Sequence, residues 1–184
     1  TGGQFFAFPY VDYRAFNQDI RVDDSVAASY RLRRASAGAD FGWEPGTTDR
    51  VYIGLVHGSG SARALVGSAD GVEDFRETSG SVRLGWVRDT LDDADFPASG
   101  GRLDFLLTAS MEALGSDSEA QVADLYWDHA FGIANGTLLL GTRLRTVFGD
   151  PGEFDAVAPL GGFANISGYD ERALLGRHLT LLRG

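Results

Sequence analysis

The sequence contains no lysine and no cysteine, one methionine and three histidines. Without cysteine there is no disulfide framework, no thiolate metal site and no cysteine nucleophile. All 16 basic residues are arginine, set against 26 acids for a net charge of −10, which argues against a nucleic-acid surface because phosphate binding wants clustered cations. No apolar run approaches the ~20 residues that a spanning helix needs, so any contact with a bilayer core has to be made by strands. The Gly-x-Ser-x-Gly pentad of a nucleophile elbow is also missing. Gly58 to Ser61 (GSGS) has the wrong spacing, and Asp70-Gly71 reads as a turn rather than half of a catalytic dyad. Asp89, Asp92, Asp93 and Asp95 do not form the Asp-x-Asp-x-Asp-Gly calcium loop and read as a solvated acidic turn. His57, His129 and His178 sit on separate segments with no second ligand at metal spacing. No catalytic residue, metal or cofactor is therefore expected.

What is abundant is glycine (25) and aromatics (12 Phe, 6 Tyr, 3 Trp), a mixture that favours many short strands joined by turns. Apolar residues alternate with polar ones in Gln4 to Phe16, Ala27 to Trp43, Arg50 to Gly67, Ser79 to Arg88, Arg102 to Met111, Ala123 to Phe131 and Leu138 to Thr146. A last apolar run spans Leu174 to Gly184. Turn signals separate them: the polar Asn17 to Ser25, Glu44 to Thr48, the acidic Ser68 to Glu77, Asp89 to Gly101, Gly115 to Ser118, and the Asn135-Gly136 pair. Pro9 predicts an edge or a bulge, and His57 to Ser61 a weakened or bulged strand. The pattern predicts about eight antiparallel strands linked as consecutive hairpins, with almost no helix.

In each strand one face carries Leu, Phe and Trp and the other Arg, Asp and Tyr. A soluble sheet hides the first face in a core, whereas a membrane barrel turns it to lipid and keeps the charges inside. Periodicity leaves both open; strands longer than ten residues with charges in mid-strand favour the barrel. On that view Trp86, Trp127 and Tyr126 are candidates for interfacial girdles.

The stretch Gly149 to Leu174 shows neither helical nor strand period, and so long a connection usually has a task. Within Leu160 to Arg172 (LGGFANISGYDER), Gly161, Gly162 and Gly168 let the backbone fold back as a compact plug.

Arg83 to Leu103 (RLGWVRDTLDDADFPASGGRL) resembles the strand, acidic periplasmic turn with Phe-Pro, and strand of the bacterial surface-antigen family of outer-membrane barrels. Gly161, Gly162, Ser167, Gly168 and Tyr169 resemble that family's lid motif on a lumen-inserted extracellular loop. More narrowly, Ser167-Gly168-Tyr169 and Val26 to Arg34 (VAASYRLRR) look like the barrels fused behind bacterial patatin-like phospholipases, of the type V autotransporter-like kind.

The resemblance implies an all-β, antiparallel, up-and-down transmembrane β-barrel with a long lumen-inserted loop, in the bacterial outer membrane. Residues 1–184 would be a single partial domain cut at both ends, supplying about eight of sixteen strands. Its role would be to anchor, and to translocate or display, an attached patatin-like or periplasmic repeat domain, with no enzymatic function of its own. Its partners would be outer-membrane lipid, the remaining strands of the same chain and a periplasmic or passenger domain, with a homodimer left open. A soluble all-β barrel binding a small apolar ligand is the alternative.

Assembly-factor members carry an arginine in the lid where this chain has Ser167, so their lid ion pair is in question, with Arg172 as a substitute. If Asp89 to Gly101 is periplasmic, parity puts residues 43–48 and 131–136 at the same end, and 17–25, 68–78, 113–118 and the lid outside. Arg143 and Arg145 are then expected to face the lumen, within reach of Asp170 or Glu171.

Overall fold

The computed structural model describes residues 2–22, 25–66, 74–152, 158–160 and 174–184. Its strands are β1 (Gln4–Val22), β2 (Ser25–Glu44), β3 (Asp49–Val66), β4 (Phe75–Asp89), β5 (Gly100–Ser110), β6 (Glu119–Ile133), β7 (Gly136–Asp150), β8 (Ala158–Leu160), β9 (Leu174–Gly176) and β10 (His178–Arg183). One antiparallel sheet runs β1-β2-β3-β4-β5-β6-β7-β10, and β8 pairs with β9 in a separate two-stranded ribbon. Apart from the strands, the only regular element among the described residues is a 3-10 turn, Glu112–Leu114.

This is a single layer. Buried apolar residues are few and small, Ala62, Ala120, Val122, Ala130, Val147 and Leu179, while Phe5, Phe41, Ile53, Leu55, Leu84, Leu138 and Leu140 are exposed. A soluble sheet of this size would need a second layer over those side chains. Leu103, Phe105, Leu125, Trp127, Leu138 and Leu140 share one face through the registers Leu103↔Trp127, Phe105↔Leu125 and His129↔Leu140, and no described element covers them. A soluble ligand-binding barrel would need these side chains gathered in a shared dry centre, and the described residues do not form one.

Turns 45–48, 90–99 and 134–135 lie at one end of the sheet. The ends at which β1 and β2, β3 and β4, and β5 and β6 are joined lie at the other, as does the C-terminal end of β7 at Asp150. This is the grouping that parity predicts.

Several local expectations are corrected. Asn17 to Ser25 is not a connection: β1 continues to Val22 and β2 starts at Ser25, because beyond the lipid a strand needs backbone pairing but no apolar face. For the same reason Phe75 to Glu77 belong to β4. His57 to Ser61 is regular, paired without a break on both sides; the irregularities fall at Ile20/Arg21 and Ser29/Tyr30. Flanking strands on both sides hold the glycine-rich stretch to its ladder. The final run divides at Arg177 into β9 and β10, and the long connection contains β8. The hairpin turn is Ala134-Asn135, with Ala134 at φ 28°, while Gly136 already pairs with Ile133. Pro9 lies on β1, the first strand of the described sheet, opposite Ala39.

At the acidic turn the carboxylates cap the backbone. Asp92 Oδ1 accepts the N–H groups of Ala98 (2.9 Å) and Ser99 (3.1 Å), and Asp93 Oδ1 those of Asp95 (2.8 Å) and Phe96 (2.9 Å). Gly100, at φ 93°, lets the chain re-enter the sheet against Thr90. These backbone hydrogen bonds hold both carboxyls below the ordinary carboxylate range, which suits turn caps rather than waiting metal ligands.

Candidate functional site

The polar face of the sheet carries two rows of the same construction. In the first, Asp40 on β2, Gly54 on β3 and Arg83 on β4 are direct cross-strand neighbours. Because the middle position has no side chain, carboxylate and guanidinium meet over it: Arg83 Nε donates to Asp40 Oδ1 at 2.7 Å, and Nη2 donates to Oδ2. A Cβ at Gly54 would collide with the Asp40 carboxylate. The guanidinium lies between two rings, 4.5 Å from the centroid of Tyr10 and 5.6 Å from that of Tyr52. Those rings in turn cover Gly38 and Gly85, their partners in register. Asp40 is only 6% exposed, so the fork-to-fork pairing is what makes its burial tolerable.

In the second row Asp128 on β6, Gly141 on β7 and Arg183 on β10 repeat the arrangement. Arg183 Nη2 donates to both Asp128 oxygens, at 2.9 and 2.8 Å, and its guanidinium sits 5.0 Å over the Tyr126 ring. The Tyr126 hydroxyl donates to Asp128. Tyr126 thus faces the charged side and is no girdle residue, whereas Trp86 and Trp127 stay on the apolar face by register.

Beside the second row, four residues along β6 and β7, Arg145 Nη1 donates to Asp124 Oδ1 and Oδ2 at 3.1 and 3.0 Å, and the two are opposite each other in register. Arg143 and Arg145 therefore stand on the charged face with Asp124, Tyr126 and Asp128. The remaining predicted site residues, Gly161, Gly162, Ser167, Gly168, Tyr169, Asp170, Glu171 and Arg172, lie outside the described residues, as does Asp70-Gly71. Sequence reasoning did not single out Asp40, Tyr10, Tyr52, Asp128 or Arg183. The available signal was their shared polar-face parity, but joining them needs the register of three strands at once.

Among the described residues no three His, Cys, Asp or Glu side chains converge as metal ligands. His129 stacks between Trp127 (6.0 Å) and Phe131 (4.4 Å) on the apolar face. His178 shares a 2.5 Å hydrogen bond with Thr146.

The profile of the Omp85 superfamily domain matches residues 2–178. The chain belongs to the Omp85 superfamily. Its fold is similar to that of BamA from Haemophilus ducreyi lacking POTRA domains 1-3, with a TM-score of 0.69 at 12% identity, over 93% of this chain and 38% of that one. The chain thus spans well under half of that relative's length. No curated protein matches the sequence. The surface-antigen resemblance is thereby confirmed at the level of the superfamily. This Omp85 chain is an all-β segment of an outer-membrane barrel in the bacterial outer membrane, the kind of fold in which an apolar face meets lipid and a charged face the lumen. No described helix is long and apolar enough to cross a membrane; the strands do so.

Proposed function

We propose that this Omp85 barrel segment anchors an attached domain at the outer membrane and serves its translocation or display, with the segment between β8 and β9 as the lumenal plug. The observation that carries the reading is the inside-out polarity of a continuous eight-stranded sheet whose charged face is cross-braced by Asp40–Arg83, Asp124–Arg145 and Asp128–Arg183. A braced wall keeps its shape around a wet interior, which a conduit or anchor requires. In this reading the acidic turn 90–99 is periplasmic and the connections 67–74 and 111–118 are extracellular. The attached domain is a patatin-like phospholipase or a set of periplasmic repeats, favoured by the patatin-type features Val26 to Arg34 and Ser167-Gly168-Tyr169.

Arg145 also favours a seated lid. It is engaged by Asp124, yet its Nε is buried and has no hydrogen-bond partner among the described residues. Leaving such a donor unmet costs about 1–3 kcal/mol, and Asp170 or Glu171 would supply the acceptor.

The test uses the full-length protein. Its attached domain should fractionate with outer membranes and be reached by external or periplasmic protease only while the barrel shows heat-modifiable migration. If disrupting the barrel leaves the domain membrane-bound and active, the anchoring role is wrong. Lipase activity that disappears when a serine elbow of the attached domain is mutated would identify the passenger as the hydrolase.

A further inference from the structure

The lipid-facing side of β2, β3 and β4 changes character part-way along. Next to turn 45–48 it is apolar: Trp43, Val51 and Trp86 form one cross-strand row, with Phe41, Ile53 and Leu84 in the next. Ten residues further along each strand the same face presents Arg33, Ser61 and Arg76 in a single row, followed by Arg31 opposite Arg63. All four arginines are exposed, and none makes an ion pair with a described residue. Asp74, just before β4, accepts the backbone N–H of Ala64, and Glu77 is among the residues around the recess beneath the arginines. Below the arginines lies a recess of about 380 Å³, whose lining includes Tyr13, Arg33, Ser59, Ser61, Arg76 and Thr78.

Cations and hydroxyls on the lipid side of a barrel are costly inside hydrocarbon, so their depth matters. Ten residues rise about 33 Å along a strand. With the roughly 40° tilt of such barrels this becomes about 25 Å, the height of the apolar band. Arg33 and Arg76 therefore stand at the far membrane interface when Trp43 and Trp86 mark the near one. In a chain of net charge −10 this is a local concentration of guanidinium groups, and guanidinium forks with neighbouring hydroxyl donors match a phosphate.

We infer that this face binds the phosphorylated headgroup of an outer-leaflet lipid, with Arg33 and Arg76 on the phosphate, Arg31 and Arg63 above them, and Tyr13, Ser59, Ser61 and Thr78 lining the recess. The leaflet, though not the chemistry, rests on the orientation proposed above.

The experiment reconstitutes the full-length protein in phosphatidylcholine nanodiscs and titrates diphosphorylated lipid A, measuring bound lipid by native mass spectrometry. Arg33→Gln/Arg76→Gln, which removes exposed charges only, is checked for folding by heat-modifiable migration. The expected results are saturable binding that falls about thirtyfold in the double variant, two interfacial arginines being lost, and weak binding of the same lipid without phosphates. Equal binding by wild type and variant, or equal binding of phosphate-free lipid, would overturn the site and leave the arginines as simple interfacial anchors. Orientation is read separately: the chain has no cysteine, so single cysteines at Asp117 and Phe96 can be labelled on whole cells with an impermeant maleimide. Labelling at Asp117 alone supports the outer leaflet. Labelling at Phe96 alone overturns that assignment, whatever the lipid titration shows.

Discussion

The two ion-pair rows on the inner wall use the same three residue types yet differ in how tightly they are held. Asp40–Gly54–Arg83 sits among strands β2, β3 and β4, with paired neighbours on both sides and tyrosines on either side of the guanidinium. Asp128–Gly141–Arg183 ends on β10, an edge of the described sheet, and has one tyrosine. The less water reaches a pair, the more depends on both partners being present, since a lone buried charge costs far more than a lone wet one. The row with two tyrosines against its guanidinium is therefore where the wall is most sensitive to losing one member.

The sharpest way to break this comparison is Arg83→Ala, which leaves Asp40 buried and unpaired. A loss of about 3 kcal/mol is expected, seen as a lower midpoint of heat-modifiable migration and of urea unfolding in lipid vesicles. Asp40→Ala combined with it should restore part of the loss, and a cycle without coupling would show that the pair does not brace the wall.

Gly54→Ala comes next. Its methyl would strike the Asp40 carboxylate and crowd Arg83 Cγ and Nε, both 3.1 Å away, so about 2 kcal/mol should be lost even though every charge is kept. Were Gly54→Ala neutral by the same unfolding assay, the bare middle position would not be needed for the salt bridge.

Arg183→Ala should cost about 1 kcal/mol, less than Arg83→Ala, because one tyrosine ring covers its guanidinium where two cover that of Arg83. Equal losses by the two variants would erase the distinction between the two rows.

The smallest effect is expected away from both rows. Asp92 and Asp93 have lowered pKa values in the fold, so their stabilising contribution is complete above the unfolded-state carboxylate range and fades as pH falls through the folded values. Asp92→Asn should flatten the acid limb of unfolding without moving the neutral-pH midpoint of either row. An unchanged acid limb would mean that its bonds to Ala98 and Ser99 do not hold the turn.

Legibility in the sequence followed the length of the turns. The two-residue turn at 134–135 sets β6 against β7, so the position of Asp128 opposite Gly141 follows once the hairpin is placed, even with the turn shifted by one residue from the Asn-Gly pair. Arg183 joins that row only across the long segment between Asp150 and His178, for which no turn geometry sets a register. The outer arginines could be assigned to a face by parity alone, but not to a depth, because that depends on strand tilt and on where β2 and β4 cross the apolar band. Tyr126 was misplaced because an aromatic beside Trp127 suggests a girdle until one recognises that adjacent residues on a strand point to opposite faces.

By itself the sequence determined the strand period, the hairpin order and the two unlike faces, since these follow from side-chain alternation and turn chemistry over a few residues. Only the tertiary structure decided which distant charges meet, because ion pairs across a glycine depend on the registers of two ladders at once. It also showed the apolar face to have no second layer over it among the described residues, which is a property of the assembled sheet and of no single strand.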